Sequence, residues 1–361
     1  METRSKTTAN ILGIEYTRPF IVSGPCGAES QEQVESTVLA LGRLGTVNLV
    51  RAGIWKPRTH PNSFEGAGNE GLKWLKDAGI AAGLPVTVEV ANAKHVEAAL
   101  KIGIDVLWIG ARSTVNPFVV QEIADALQGV DVPVMVKNPV NPDIELWIGA
   151  FERFLRAGIS RIAAIHRGFS SYEKTMYRNR PNWEIPIEFR RRMPGIPMIC
   201  DPSHISGNRT LLQAVSQTAL DLNFDGLMIE SHINPDKALS DSKQQITPEI
   251  LKVLLNNLIC RTQNIEDVTG LRMIEDFRQQ IDKLDYNILD IIAKRMKIAK
   301  DIGQFKKDHN ITILQSMRWD EIVETRMMLG VNKELTKEFV LKLFELIHQE
   351  AIENQSKVMN S

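Results

Sequence analysis

Arg51, Lys56 and Arg58 crowd into the nine residues from Arg51 to Thr59, directly after the apolar run Val47–Val50. Solvated cations usually scatter along helix faces. These follow a strand-like stretch and are separated by Gly53 and Pro57. Arginine offers a planar fork to phosphate or carboxylate and lysine a compact point charge, so the grouping suits a small ligand rich in oxyanions. Taken alone, the nonapeptide has a plainer explanation as a basic surface turn. Elsewhere Cys26, His204, Glu230 and Asp241 would together form a mixed S/N/O donor set. Such a set suits a borderline divalent ion rather than a closed structural zinc. Their separations match no finger or ribbon pattern, and a lone cysteine is commonly a small core hydrophobe. Asp201 and His232 are further candidates for the same set.

These residues need a scaffold that brings distant positions together. Short β-branched runs predict strands at 20–24, 48–54, 85–90, 106–111, 132–137, 161–166, 197–200 and 226–230. Amphipathic stretches such as 31–44, 69–82, 93–102 and 116–127 lie between them. Strands alternating with helices in this number predict an α/β fold of the (β/α)8 TIM-barrel type. An open doubly wound sheet is the competitor, but no Gly-rich dinucleotide turn follows the first strand. In a barrel the strand ends form one rim, where catalytic residues gather. That rim would carry Cys26, then Arg51 with Lys56 and Arg58, Glu89, Arg112, Lys137, Arg167, His204, and Glu230 with Asp241. So many cations around one mouth repel one another unless an anionic ligand collects them, which argues against the basic surface turn.

At 361 residues the chain exceeds the size at which a single core stops growing, so two domains are expected. A net charge of −1 excludes a phosphate-coating nucleic-acid binder. No apolar run approaches a membrane span, and the N-terminus lacks a signal-peptide core. Three widely spaced cysteines point to thiols in a reducing compartment, and hence to the cytoplasm.

The expected barrel domain covers 1–260, a polar, aperiodic linker 261–269, and a small all-α three-helix domain 270–361. The last barrel helix is expected to run to about Cys260, and the second and third helices of the C-terminal domain to cover about 316–329 and 336–356. In the first of its helices Ile274, Phe277, Ile281, Leu284, Ile288, Ile291, Ile298, Ile302 and Phe305 keep a heptad seam. Arg295 falls in the seam and requires an anionic partner, either a carboxylate of another helix or a ligand. Lys306 lies about three turns further on, on nearly the same face. Arg278 is about 25 Å before Arg295 along a straight helix, so it reaches the same small ligand only from a partner chain.

The motifs Gly24-Pro-Cys26, Lys56-Pro-Arg-Thr59, Gly110-Ala-Arg112, Lys137-Asn-Pro139, His166-Arg-Gly168, Asp201-Pro-Ser-His204 and Ile229-Glu-Ser-His232 resemble 3-deoxy-D-arabino-heptulosonate 7-phosphate (DAHP) synthases of the short type I β branch. The resemblance implies condensation of phosphoenolpyruvate with erythrose 4-phosphate at the entry to aromatic biosynthesis. It also implies a divalent metal, manganese foremost and cobalt, iron(II) or zinc as alternatives, on Cys26, His204, Glu230 and Asp241. Phosphoenolpyruvate would be held by Arg51, Lys56, Arg112, Lys137 and Arg167, the aldose phosphate by Arg58 and Thr59, with Glu89 in the substrate site. Lys56, among other cations, is the candidate proton donor or relay. A 3-deoxy-octulosonate 8-phosphate synthase, acting on a longer aldose, is the nearest alternative; the Lys56–Thr59 motif favours the shorter one.

The C-terminal segment is similar to helical-class chorismate mutases, which are intertwined dimers sharing active sites between chains. The likeness is carried by Arg278, Asp285, Arg295, Lys306, Arg318 and Gln355. It implies rearrangement of chorismate to prephenate by catalytic Arg295, Lys306, Gln355 and a partner's Arg278, with Arg318 binding substrate, in a homodimer or larger oligomer. Trp319, Gln315 and Ala351 depart from the pattern, Trp319 where a carboxylate often meets the substrate hydroxyl. A ligand-sensing dimerisation module without catalysis is the alternative. Feedback inhibition of the barrel by prephenate bound to the helical segment is the further expectation.

Overall fold

The computed structural model describes residues 8–56, 64–261, 267–314 and 316–360. It contains two compact units, Met1–Gln263 and Asn264–Ser361. The first opens with an antiparallel hairpin, β1 (Thr8–Ile11) and β2 (Ile14–Thr17). Leu12 and Gly13 both take positive φ in its two-residue turn, the geometry that matches the twist of a hairpin. The sequence pattern did not reveal this hairpin, because its strands are short and mostly polar.

Eight parallel strands then close a barrel in the order β10-β3-β4-β5-β6-β7-β8-β9. They are β3 (Phe20–Gly24), β4 (Leu49–Ala52), β5 (Val86–Val90), β6 (Val106–Ile109), β7 (Val134–Lys137), β8 (Ile162–His166), β9 (Met198–Cys200) and β10 (Gly226–Glu230). The (β/α)8 architecture expected from the strand count is therefore present. Connecting helices are α1 (Gln31–Leu44), α2 (Asn69–Ala82), α3 (Ala93–Ile102), α4 (Ala111–Thr114), α5 (Pro117–Ala126), α6 (Ile144–Arg156), α7 (Glu184–Arg192), α8 (Pro202–Ser206), α9 (Leu212–Asp221) and α10 (Pro248–Asn256). Most start at a side-chain cap: Ser30, Asn92, Asn116, Asp143, Asp201 and Thr247 each accept from a first-turn N–H. Several boundaries differ from the sequence reading by a few residues, and two of these bear on the rim and the end of the barrel. Helix α10 stops at Asn256 rather than near Cys260. Arg112 stands on the one-turn helix α4 just beyond β6.

Alternation along the strands produces two cores. Inside the barrel Phe20, Val22, Leu49, Trp108, Met135, Ile165, Ile199 and Met228 fill the lumen, joined by Ile11, Leu12 and Tyr16 of the hairpin. The opposite strand faces meet the helices in a second layer that includes Trp147, Phe151, Phe154 and Phe189. With the lumen packed, the polar ends of the strands are left to form the rim.

The second unit consists of α11 (Val268–Asp308), α12 (Ser316–Val331) and α13 (Lys337–Asn360). Helix α12 returns against α13, where Gly330 meets Val340. Helices α11 and α13 run in the same direction. Gly303 lies against Gln355, and Lys307 Nζ donates to Val358 O further on. The buried face of α11 is formed by Ala299, Gly303 and Lys306, one stripe at helical spacing. The heptad seam is a different stripe, and almost all of it is exposed.

Candidate active sites

At the barrel rim Cys26, Glu230 and Asp241 each offer a donor atom, all within 4.8 Å of one another. Cys26 follows Gly24, whose φ of 150° and lack of a side chain let the turn lie against β4; a Cβ there would be 2.0 Å from Arg51 O. The backbone N–H of Cys26 donates to Gln245 Oε1 at 2.9 Å. Its thiol donates to Asp241 Oδ2 at 3.2 Å. Burial, reinforced by the charge of Glu230, pushes this thiol up to about 12. Asp241 sits at φ 49°, a left-handed conformation held by Cys26 on one oxygen and by Arg178 Nη1 at 3.0 Å on the other. Burial would raise its pKa, but Arg178 and His204, with the bond from Cys26, hold it below the usual carboxylate range.

His204 stands beside this group rather than within its 4.8 Å limit; it is on α8, whose cap residue Asp201 accepts from the His204 N–H at 3.1 Å. Its Nδ1 lies 2.8 Å from Asp201 Oδ2 and its Nε2 3.8 Å from Glu230 Oε1. Burial lowers its pKa despite these carboxylates, favouring the neutral imidazole that a metal requires. Glu230 Oε2 accepts from Gln244 Nε2 at 2.7 Å, whereas Oε1 is buried and accepts no hydrogen bond among the described residues. A carboxylate oxygen without a hydrogen bond, though within ion-pair distance of Arg51, beside a thiol, a neutral imidazole and a second carboxylate fits a divalent cation.

Cations line the same mouth. Arg51 Nη2 stands 3.3 Å from Glu230 Oε1, and its guanidinium lies 4.9 Å from the centroid of the Trp108 ring. Lys137 Nζ pairs with Asp201 Oδ2 at 2.8 Å. Lys56 Nζ donates to Cys26 O and lies 2.8 Å from Cys26 Sγ. Arg167 donates to Asn179 Oδ1 at 2.6 Å; burial lowers its pKa to about 10, with the charges of Arg178 and Arg112 adding to the effect. Glu89 accepts from Trp108 Nε1 at 3.0 Å, beside Gly110, where a Cβ would be 2.0 Å from its carboxylate. Arg58 and Thr59 lie outside the described residues. His232, an alternative donor, instead faces Glu29 at 3.5 Å.

In the helical unit Arg295 is half-buried beside α12 and α13. It has no carboxylate partner among the described residues; burial and the charge of Arg326 lower its pKa. Lys306 is buried and its Nζ donates to Ile313 O at 2.5 Å. Gln355 Oε1 is buried without a hydrogen-bond partner among the described residues. Arg278 stands on the exposed part of α11, 3.6 Å from Glu275. The side chains of Gln315 and Arg318 lie outside the described residues.

Residues 4–266 match the DAHP synthetase I family. The chain belongs to that family. Residues 277–356 match a second one, chorismate mutase type II. A phospho-2-dehydro-3-deoxyheptonate aldolase of Thermotoga maritima is 30% identical over 253 residues, covering 70% of this chain and 71% of the relative. Its crystal structure superposes with a TM-score of 0.62 at 29% identity over 70% of this chain and 73% of that one. A 2-dehydro-3-deoxyphosphooctonate aldolase of Bordetella petrii is 26% identical, covering 69% of this chain and 92% of the relative.

Further residues, not legible in the sequence, surround the barrel cluster. From the loops after β8 and β10, Arg178 donates to Asp241, Gln244 donates to Glu230, Gln245 accepts from the Cys26 N–H, and Asn179 accepts from Arg167. Asn138 Oδ1 accepts from the Arg167 N–H at 2.7 Å. Asn138 was legible only as part of a quoted motif, and the loop residues carried no periodic or compositional signal. In the helical unit Arg326 and His348, whose charges interact with Arg295, drew no notice in the sequence, because each looks like an ordinary polar residue on an amphipathic helix.

Proposed function

We propose that the barrel condenses phosphoenolpyruvate with erythrose 4-phosphate and water to DAHP and phosphate, and that the helical unit rearranges chorismate to prephenate. The chain is thus a bifunctional enzyme of the shikimate pathway, working in the cytoplasm. The observation that carries the first activity is the metal-fitting donor cluster set among Arg51, Lys56, Lys137 and Arg167. Phosphoenolpyruvate bears both a phosphate and a carboxylate, and several fixed cations offset the desolvation of that charge. Arg51, Lys137, Arg167 and Arg112 would bind it, and Lys56 would hold or relay a proton at the mouth. Cys26, His204, Glu230 and Asp241 would hold a divalent ion, manganese foremost, which when bound would supply a Lewis acid for the aldehyde oxygen. The enol carbon then attacks the aldehyde carbon, water adds to the carbon left electron-poor, and phosphate leaves.

The second activity is supported by half-buried Arg295, which has no counter-ion among the described residues, with Lys306 and Gln355 on the facing stripes of α11 and α13. Chorismate is a dianion that rearranges without a covalent intermediate, so positioned cations are the appropriate machinery. The exposed seam of α11 supports a homodimer in which Arg278 comes from the partner. Prephenate, leaving this site as product, would also inhibit the barrel. Synthase rates against prephenate in the intact enzyme, in Arg295→Ala and in a 1–261 truncation test this: only the intact enzyme should be inhibited, and equal inhibition of all three would place the sensor in the barrel.

The octulosonate reading is kept in view by relatives such as that of Bordetella petrii. A competition assay on manganese-loaded enzyme decides between the aldoses. Erythrose 4-phosphate should be consumed first and arabinose 5-phosphate left; the reverse would reassign the barrel.

A further inference from the structure

We propose that His348 accepts a hydrogen bond from the ring hydroxyl of the mutase substrate, and that Trp319 is the residue that positions it. The inference rests on the chorismate mutase reading given above. His348, Ala351 and Gln355 are spaced three and four apart on α13, so they share one face. Gly303 of α11 lies against Gln355, and the charge of Arg295, two turns earlier on α11, acts on His348, two turns earlier on α13. The parallel register thus sets His348 beside Arg295. From α12 the Trp319 ring stacks on the imidazole, with centroids 4.2 Å apart and planes inclined by 19°.

Two side-chain atoms on this face are buried and without a hydrogen-bond partner among the described residues: His348 Nε2 and Gln355 Oε1. Such atoms are rare in folded proteins and indicate a missing ligand or water. The substrate chemistry sorts them. Its two carboxylates and ether oxygen only accept, and call for the donors Arg295, Arg326, Lys306 and Gln355, whose amide, turned over, presents Nε2 where Oε1 now lies unpartnered. Its hydroxyl is the one group with a hydrogen to give. Cations cannot receive that hydrogen, and the Trp319 indole is a donor only. A neutral imidazole with its proton on Nδ1 can receive it at Nε2. Burial and the nearby charge of Arg295 favour that neutral form.

The test uses the full-length chain with chorismate and with the analogue carrying hydrogen in place of the ring hydroxyl. The parent should prefer chorismate in kcat/KM by about tenfold or more, the loss expected when a buried acceptor is left unpaired. His348→Phe keeps an aromatic ring for the Trp319 stack but has no acceptor, and should bring the two substrates to near-equal kcat/KM; His348→Ala should do the same. Trp319→Phe should keep the preference, while Trp319→Ala should weaken it through KM. A parent-like preference in both His348 variants overturns the inference and leaves the mutase reading standing. Should His348→Ala fail to fold, His348→Phe decides alone. A parent that turns over neither substrate removes the mutase reading, and this inference with it.

Discussion

The two units of the chain handle apolar surface in opposite ways. The barrel encloses its own: Trp108, Trp147, Phe151, Phe154 and Phe189 are fully buried between hairpin, strands and helices. The helical unit leaves a row of large side chains in solvent, with Ile281 at 56%, Leu284 at 60% and Ile291 at 64% of full exposure. Charges follow the same division. Buried cations of the barrel have carboxylates at hand, Lys137 with Asp201 and Arg51 with Glu230. Arg295 of the helical unit has none among the described residues. The barrel covers its large apolar side chains within a single chain, whereas the helical unit, as proposed above, offers its exposed row to a second copy. Covering each seam side chain contributes about 1.5–3 kcal/mol, so a row of them is ample to hold a second copy.

A crossed pair of variants puts the largest strain on this contrast. Ile281→Asp combined with Ile288→Asp introduces four charges into a paired seam, and should lower mutase activity at least about a hundredfold. Sedimentation should then show loss of the helix-mediated dimer, with the synthase rate largely retained. Cys26→Ser should do the converse, removing metal affinity and most synthase activity while chorismate turnover is unchanged. A monomeric seam variant that remains a good mutase would show the helical unit to be self-sufficient, and Cys26→Ser with parental metal content would remove the donor set.

Sharing of the site is tested at smaller amplitude by mixing. Arg278→Ala and Arg295→Ala should each be poor mutases. Helix α11 is unbroken from Val268 to Asp308, so about 25 Å separates the two positions within one chain. In a mixed dimer one site collects both lesions and the other none. Random exchange at equal concentrations therefore restores about a quarter of the parental rate, half of the dimers having one intact site of two. No recovery under conditions where chains exchange would show that Arg278 does not act across the dimer.

What the sequence disclosed follows the same division. Barrel strands were legible because each is a short β-branched run, and rim residues because a closed barrel brings strand ends together whatever their separation in the chain. The hairpin below the barrel escaped, since two four-residue strands give no periodic signal. Arg178 and Gln244 escaped as well, because loop geometry that carries them to Asp241 and Glu230 is not written in spacing. In the helical unit the heptad seam was legible and Arg295 stood out as its exception. His348 did not, since its significance depends on the parallel register of α11 and α13, which emerges only from packing.

The smallest predicted effect separates the units by pH. His166 is sealed in the barrel among Trp147, Phe169, Trp183 and Phe224, and burial lowers its pKa from 6.5 to about 3. Folding therefore favours the neutral ring. The stabilisation is fully present above 6.5, the unfolded value, and is lost progressively as pH falls toward the folded value of about 3. Between pH 8 and pH 5 this costs the parent about 2 kcal/mol. His166→Phe keeps an aromatic ring without a titratable group. Its stability relative to the parent, from denaturant unfolding followed by the buried tryptophans, should improve by about that amount over the same interval. An unchanged difference between pH 8 and pH 5 would mean that the ring already titrates normally in the fold. The gain should be independent of protein concentration, because the group lies wholly inside one chain. Stability of the helical unit, by contrast, should rise with concentration at either pH, as mass action requires if its seam pairs with a second copy.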